Sequence, residues 1–384
     1  MNPVYMIGGL RTPVGKTGGI LKDLLPEQLA ATVLNKVLQK YKLMPNHIDQ
    51  VLLGNAVGPG GNIARVSVLA AGWPYTTPAV TIDTQCGSGL SAVNIAASQI
   101  QTGQAELIIA GGVESTSMAP RRQFNPNDPR FQGEHMYYER APFSTPAIGD
   151  PEIGDAAEAL AESMSISRKD MDLLAHESHR KASLAREQGL LEDVIVPVKT
   201  AGTLIHSDEC IRGHISLKLL ERMKPAFKTG GRITAGNTCL KHDGAAVILL
   251  ASAKAAAKYN LKPQAILTGT ASCGCDPNFF PLGPVNAILK LLQQSHLQAD
   301  DVDALEINEA FAVKILACCR QLNIGLHKTN MLGGALAYGH PYGASGAIIL
   351  LHLLKALQQT NGQRGIAAIG AVGGMGIATL IERC

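Results

Sequence analysis

One theme is stated twice along this chain, and the repeat constrains its fold more than any other feature. Near the start, Pro26 opens EQLAATVLNKVLQKY, with Leu29, Val33, Val37 and Tyr41 four apart on one helix face. IDQVLLGNA follows, an apolar strand ending at Asn55. In the second copy Pro284 opens VNAILKLLQQ, and VDALEINEAF supplies a strand ending at Asn308. The rest of the theme also recurs. CGSGLSAVNIAASQI leads into AELIIAGGVES, and YGASGAIILLHLLKAL leads into GIAAIGAVGGMG. Each is a Gly-Ser-Gly-type turn, a helix, and a β-rich strand running into paired glycines. Strands alternating with helices predict an α/β fold of parallel sheets covered by helices. Two copies predict two similar halves whose turns meet near a pseudo-twofold axis.

Between the copies the theme breaks off. PRRQFNPNDPRFQGEHMYYERAPFSTPAIGDPE is rich in Pro and polar residues and predicts mostly loop. A helix follows, SRKDMDLLAHESHRKASLAREQG, with Ser167 as N-cap and Asp170 three residues on. ITAGNTCLKHDGAAVILLAS resumes the first half, and its VILLAS reads as a buried strand. The expected division is residues 1–115 and 235–255 for the first half, 116–234 for an insertion that forms a lid or binds substrate, and 256–384 for the second half.

Composition narrows the function classes. Apolar residues make up 46% of 384, with 40 Gly and 17% charged residues, which suits a Gly-rich α/β enzyme. A net charge of +3, with no stripe of aromatic and basic residues, argues against nucleic acid. The longest apolar stretch, AIILLHLL, is short and holds His352, so no membrane span is expected. MNPVYMIGGLRTP lacks the basic start and apolar run of a signal peptide, so the expected location is the cytoplasm. The eight cysteines, at 86, 210, 239, 273, 275, 318, 319 and 384, show no CxxC and no zinc-like Cys/His spacing. Reduced thiols and no metal are expected.

A site built on duplicated halves draws turn residues from both. Cys86 lies where an extended segment turns into the helix LSAVNIAASQIQTG. By itself it reads equally as a buried, inert thiol or as a nucleophile, because the positive end of a helix dipole helps a thiol ionise. His340, between Gly339 and Pro341, tips the balance, since an imidazole beside a cysteine generates thiolate. Asn308 ends a strand among apolar neighbours, so its amide is either a structural clasp or a holder of substrate or water. Glycines 373, 374 and 376 could admit a ligand close to backbone N–H groups that stabilise an oxyanion. No GxGxxG opens a helix after the first strand, and no acidic ribose partner follows, so a nicotinamide cofactor is rejected.

Together these residues resemble the thiolase family. DTQCGSGLSA is similar to its nucleophile turn, IAGGVESTS to its dimer-side strand, and NEAFA, GGALAYGHPYGASGA and GGMG to its second-half motifs. DEC-IRG and MKPAF match its loop domain, and AGNTCLKHDGAA its return strand. The resemblance runs from GGLRTPVGKTGG to the last strand. It implies a thiolase-like fold, two βαβαβαββ halves in a five-layered core plus a loop domain that holds coenzyme A. It also implies conversion of acyl-CoA and acetyl-CoA to a 3-ketoacyl-CoA such as acetoacetyl-CoA, or the reverse thiolysis. In that scheme Cys86 attacks a thioester to give an acyl-enzyme, and His340 takes up the thiol proton and later helps hold the second thioester's oxygen. Asn308 fixes a water at that oxygen, and the N–H groups of Cys86 and Val372 hold the acyl-enzyme oxygen. Arg212, Phe227, Ala235, Cys239, Phe280, Ala310 and Phe311 fall where the family contacts CoA or its pantetheine arm. CoA thioesters are then substrates, with no resident cofactor, and the chain forms a homodimer or homotetramer. Lys218, Arg222, Lys224, Lys228 and Arg232 follow Arg212, a basic stretch suited to an ADP phosphate, with a solvated basic face as the alternative.

The chain departs from the family at three positions. Gly370-Ala371-Val372-Gly373-Gly374 stands where the family reads Cys-x-Gly-Gly-Gly, so the second catalytic cysteine is replaced by Gly370 and the first glycine of the triplet by Val372. Cys239 stands where the family often has a serine. The glycine at 370 weakens the expectation of condensation but leaves acylation of Cys86 intact. Restoring the thiol by Gly370→Cys is expected to raise condensation at least about tenfold, unless a positive φ there strains the added Cβ. The alternatives are acyl transfer or hydrolysis without efficient condensation, and a non-catalytic CoA-binding protein. A decarboxylating ketoacyl synthase fits less well, because it uses two histidines and NEAF occupies the place of one.

Overall fold

The computed structural model describes residues 2–384. Local chemistry sets the element boundaries. The helix Pro26–Tyr41 starts on a proline, which needs no N–H partner in the first turn, and buries Leu29, Val33, Leu34 and Val37. It ends at Lys42, whose φ of 54° turns the chain out of the helix. Ser167 caps Arg168–Glu187 as expected, its Oγ accepting the Asp170 N–H at 3.1 Å.

In the first half the strands lie side by side in the order Ala79–Ile82, Gln50–Gly54, Leu107–Glu114, His242–Ala251, Val4–Arg11. The first three are parallel and the last two antiparallel. In the second half the order is Ala304–Ile307, Arg364–Ala371, Met375–Arg383, Ala265–Gly274, with the first pair parallel and the later pairs antiparallel. Antiparallel pairing of Val4–Met6 with Ala265–Leu267 joins the halves edge to edge. The duplication is therefore real, but one repeat is incomplete. Where Ala79–Ile82 flanks Gln50–Gly54, the second half has only a single parallel bridge, Leu305↔Thr329. The segment KTNMLGG has too few β-branched residues between its turn-forming Asn and Gly to extend a strand.

The core falls into layers. One apolar cluster joins the first-half strands to Pro26–Tyr41 and Ile63–Ala70, and another joins the second-half strands to Gly283–Gln294 and Ala312–Leu322. Between them Ser88–Gln101 and Tyr342–Thr360 pack together, sealed by residues from both sheets. The sequence is thus a helix layer, a sheet, the central helix pair, a sheet and a helix layer. The central helices touch so closely that a Cβ on Gly89 would lie 2.3 Å from the Gly343 carbonyl. The run AIILLHLL is apolar all round because it sits in this middle layer, with every residue from Ala347 to Leu354 buried. Among the described residues no helix is long and apolar enough to cross a membrane.

The insertion is irregular from Pro120 to Glu152, apart from the bridge Arg122↔Tyr138. It then forms Ile153–Ser163 and Arg168–Glu187, and returns through the fully buried strand His242–Ala251.

Candidate active site

The strand Ala79–Ile82 delivers the chain to a tight turn that holds Cys86 just before the helix Ser88–Gln101. Gln85 carries a φ of 54°, a left-handed conformation rare for a residue with a Cβ. Hydrogen bonds keep it there. Asp83 Oδ1 accepts the Gln85 N–H at 2.8 Å, Thr84 O accepts the Gly87 N–H at 3.1 Å, and Ser88 Oγ accepts the Thr84 N–H at 2.9 Å. Cys86 is half-buried. Loss of water pushes its thiol up to about 11, although the Lys314 ammonium pulls the other way. Burial therefore outweighs the helix dipole, and the resting group is a thiol that needs a base.

A candidate base, His340, stands in the turn before Tyr342–Thr360. Gly339 has a φ of 113°, and a Cβ on it would meet the His242 ring at 2.4 Å, so only glycine admits this turn. His340 is 1% exposed, with Ser345 Oγ 2.6 Å and the Asn308 amide nitrogen 3.2 Å from its Nδ1. Burial, then Lys314 and His242, hold its pKa well below the usual imidazole range. The ring is neutral at physiological pH. With Nδ1–H donating to Ser345 Oγ, Nε2 presents a lone pair, and Nε2 has no partner among the described residues. Asn308 Oδ1 is likewise buried without a partner. Two buried polar atoms left open side by side are what a reacting group and its water need.

The second half also supplies the hairpin after Arg364–Ala371. Gly373 and Gly374 have φ of 82° and 81°, and side chains there would strike the Phe143 and Cys275 carbonyls. Among the described residues, the N–H groups of Cys86 and Val372 have no backbone acceptor. Gly370 packs tightly: a Cβ on it would lie 2.8 Å from Pro284 Cδ and 3.1 Å from the Phe280 carbonyl. Its φ is not positive, so crowding rather than backbone strain opposes a side chain there.

The candidate CoA contacts divide into two groups. Phe280 and Phe311 are buried in one apolar cluster, with Ala310 and Val372 packed against it. Phe227 stands edge-on to Phe311 at 6.2 Å, and the Cys239 N–H donates to Ala310 O at 3.0 Å. Ala235 is exposed. Arg212 is exposed too, but its N–H donates to His179 Nδ1 and no hydrogen bond or ion pair ties it to the Cys86 group. Lys218, Arg222, Lys224 and Lys228 are exposed. Arg232 is not part of a free basic face, because its guanidinium donates to Ala161 O and Ile166 O. Surface clefts of about 400 and 650 Å³ lie beside Asp208–Tyr338 and Ser178–Glu309, and neither is lined by Cys86, His340 or Asn308. Chemistry rather than concavity picks out the site.

Sequence reasoning missed Ser345, Glu114 and Lys314. Ser345 was legible as the serine of GASG, but its reach to His340 was not. Glu114 takes N–H groups from Ala56, Val57 and Gly343, which lie far apart in the sequence. Lys314 reads as a solvated lysine on an amphipathic helix, yet it is 1% exposed.

Known proteins resemble the chain along its whole length. The family model described as "Thiolase, N-terminal domain" matches residues 4–254, and "Thiolase, C-terminal domain" matches residues 261–383. A Bacillus subtilis (strain 168) protein named "Putative acetyl-CoA C-acetyltransferase YhfS" is 42% identical over 384 residues, covering 100% of this chain and 99% of its own length. A Staphylococcus haemolyticus protein named "Putative acetyl-CoA C-acetyltransferase VraB" is 39% identical over 383 residues, covering 100% and 99%. The crystal structure of the Bacillus anthracis acetyl-CoA acetyltransferase superposes with a TM-score of 0.94 at 36% identity, covering 100% of this chain and 99% of that one. Human mitochondrial 3-ketoacyl-CoA thiolase in complex with CoA gives 0.93 at 33%, covering 100% and 98%. With both family models in sequence, relatives matched end to end and a shared fold, the chain belongs to the thiolase family.

Proposed function

We propose that this thiolase-type acyltransferase joins an acyl-CoA and acetyl-CoA into a 3-ketoacyl-CoA, or cleaves it in reverse, through an acyl group carried on Cys86. The observation that carries the reading is that a protonated Cys86 thiol and a neutral His340 with an open Nε2 sit in the turns leading into the two central helices, which touch at Gly89 and Gly343. In acylation the thiol proton moves to His340 Nε2 as sulfur attacks the thioester carbonyl. The tetrahedral oxygen is held by the Cys86 and Val372 N–H groups, and the departing CoA sulfur recovers the proton from His340. His340, now in the tautomer whose Nδ1 accepts from the Ser345 hydroxyl and whose Nε2 carries the ring proton, and a water on Asn308 then hold the oxygen of the second thioester. Phe280, Ala310, Phe311, Phe227, Ala235 and Cys239 line the pantetheine path, and Arg212 with the exposed lysines meets the ADP end. The insertion, residues 116–234, is the CoA-binding part, set between first-half residues 1–115 and 235–255 and second-half residues 256–384. The chain acts in the cytoplasm as a homodimer or homotetramer. Support for self-association comes from the edge strand Ala79–Ile82, which leaves Val80 exposed beside the nucleophile turn.

Gly370, read as standing in the place of the family's second catalytic cysteine, favours a second reading, acyl transfer to another acceptor without condensation. One assay separates the two. Acetyl-CoA alone should yield acetoacetyl-CoA, and acetoacetyl-CoA with CoA should yield acetyl-CoA, both lost in Cys86→Ala. Acylation without either product would favour the second reading.

A further inference from the structure

Joining two acyl groups needs a base at the α-carbon of the incoming thioester, and Gly370 has no side chain to act as one. Lys314 lies in the first turn of Ala312–Leu322, a helix whose start is fixed to the site. The Ala312 N–H donates to Asn237 O at 2.9 Å, and the preceding Ala310 O accepts from the Cys239 N–H at 3.0 Å. The Lys314 side chain is fully buried, and Nζ has no hydrogen-bond partner among the described residues. Such a group is costly to retain, and an apolar residue would serve packing better.

Its surroundings say what it faces. Four thiols are within electrostatic reach of the amine: Cys318 on its own helix, Cys86 in the nucleophile turn, Cys239 in the return segment and Cys275 after the strand Ala265–Gly274. His340, across the site, also feels its charge. The wall beside it is the one that closes over Gly370. Cys318, one helical turn on, donates to Pro281 O at 3.6 Å, within the Phe280–Pro284 segment that a Cβ on Gly370 would strike. Burial lowers the amine's pKa from the ordinary lysine value. The positive end of the helix dipole acts in the same direction.

We propose that Lys314 is the catalytic base of the condensation step. This rests on the thiolase-type reading above. The Cα–H bond of the second acetyl-CoA breaks, its proton forms an N–H bond on Lys314 in its deprotonated form, and the electron pair shifts toward the thioester oxygen. That carbon then forms the new C–C bond to the acyl carbonyl on Cys86. The C–S bond breaks, and the Cys86 sulfur takes the proton from the Lys314 ammonium. The amine returns neutral, and no oxidant or metal is involved.

The test follows loss of deuterium from methyl-deuterated acetyl-CoA into water, alongside the rate of Cys86 acetylation. Lys314→Met should lower exchange relative to acetylation by about a hundredfold, within the range for general base catalysis. Lys314→Arg should be equally deficient, because a guanidinium keeps its proton. Wild-type exchange should climb with pH as the amine loses its proton, and this limb should vanish in Lys314→Met. Met is apolar and only one atom shorter than Lys, so the variant's melting temperature should be unchanged or higher. An exchange-to-acetylation ratio within about tenfold of wild type in Lys314→Met, or rescue by Lys314→Arg, would overturn the proposal. If wild-type enzyme fails to acetylate Cys86, the thiolase-type reading itself falls.

Discussion

Gly370 shows how a single position separates what sequence and structure can say. The resemblance sets it in the place of the family's second cysteine, and from sequence alone an added thiol was expected to help. The packing changes that expectation. A Cβ at 2.8 Å from Pro284 Cδ meets a ring atom that cannot swing aside, with the Phe280 carbonyl close behind. Gly370→Cys should therefore destabilise the protein by about 1–3 kcal/mol, the usual cost of overpacking. It should raise condensation by less than the tenfold expected from sequence, because the thiol enters a wall already filled. Denaturant unfolding and the acetoacetyl-CoA assay check the two halves of this statement. Cys86 and His340 stand out in the sequence because each sits in a turn whose neighbours restrict it, and Asn308 because it follows an apolar strand. Lys314 was not, because AVKILACC carries the same pattern whether its lysine faces water or a cavity.

Among the elements, helices and strands were readable wherever apolar residues recur at a fixed spacing, as in Pro26–Tyr41 and His242–Ala251. The third strand of the second half was not, because loss of pairing at Thr329 depends on a neighbour in space. The insertion was recognised by its lack of pattern, and its basic stretch was only partly what the sequence suggested. Arg232 is consumed by backbone carbonyls, whereas Arg212 and the lysines after it remain exposed. Arg212→Ala should weaken CoA binding by up to about fivefold, the worth of an exposed ion pair of about 1 kcal/mol. Added salt should weaken wild-type binding and narrow the difference between the two proteins. Titration calorimetry at two salt concentrations would measure both. Equal affinities throughout would leave this stretch as a solvated face.

At the scale of the molecule, the halves are held by more than the apolar middle layer. Glu114, at the end of a first-half strand, is fully buried and accepts from Ala56, Val57 and the Asn55 amide in its own half. It also accepts from the Gly343 N–H at the start of the second half's central helix, at 3.0 Å. Burial pushes its pKa up to about 7, against the pull of these N–H groups. Glu114→Gln turns one acceptor toward N–H groups as a donor, and should cost about 1–3 kcal/mol. A lowered melting temperature with slower acylation is expected, because Gly343 follows closely on His340. The duplicated halves were legible from the repeated theme, but this clasp was not, because a carboxylate far from its partners in sequence leaves no local signature.

The central claim is that acyl groups pass through Cys86. It is tested most directly by the mass of the Cys86 peptide after brief incubation with acetyl-CoA. One acetyl group is expected on Cys86, none in Cys86→Ser, and slow formation in His340→Ala, which lacks the base for a thiol raised to about 11. An acetyl group found instead on Cys239 or Cys318, with Cys86 unmodified, would contradict the account.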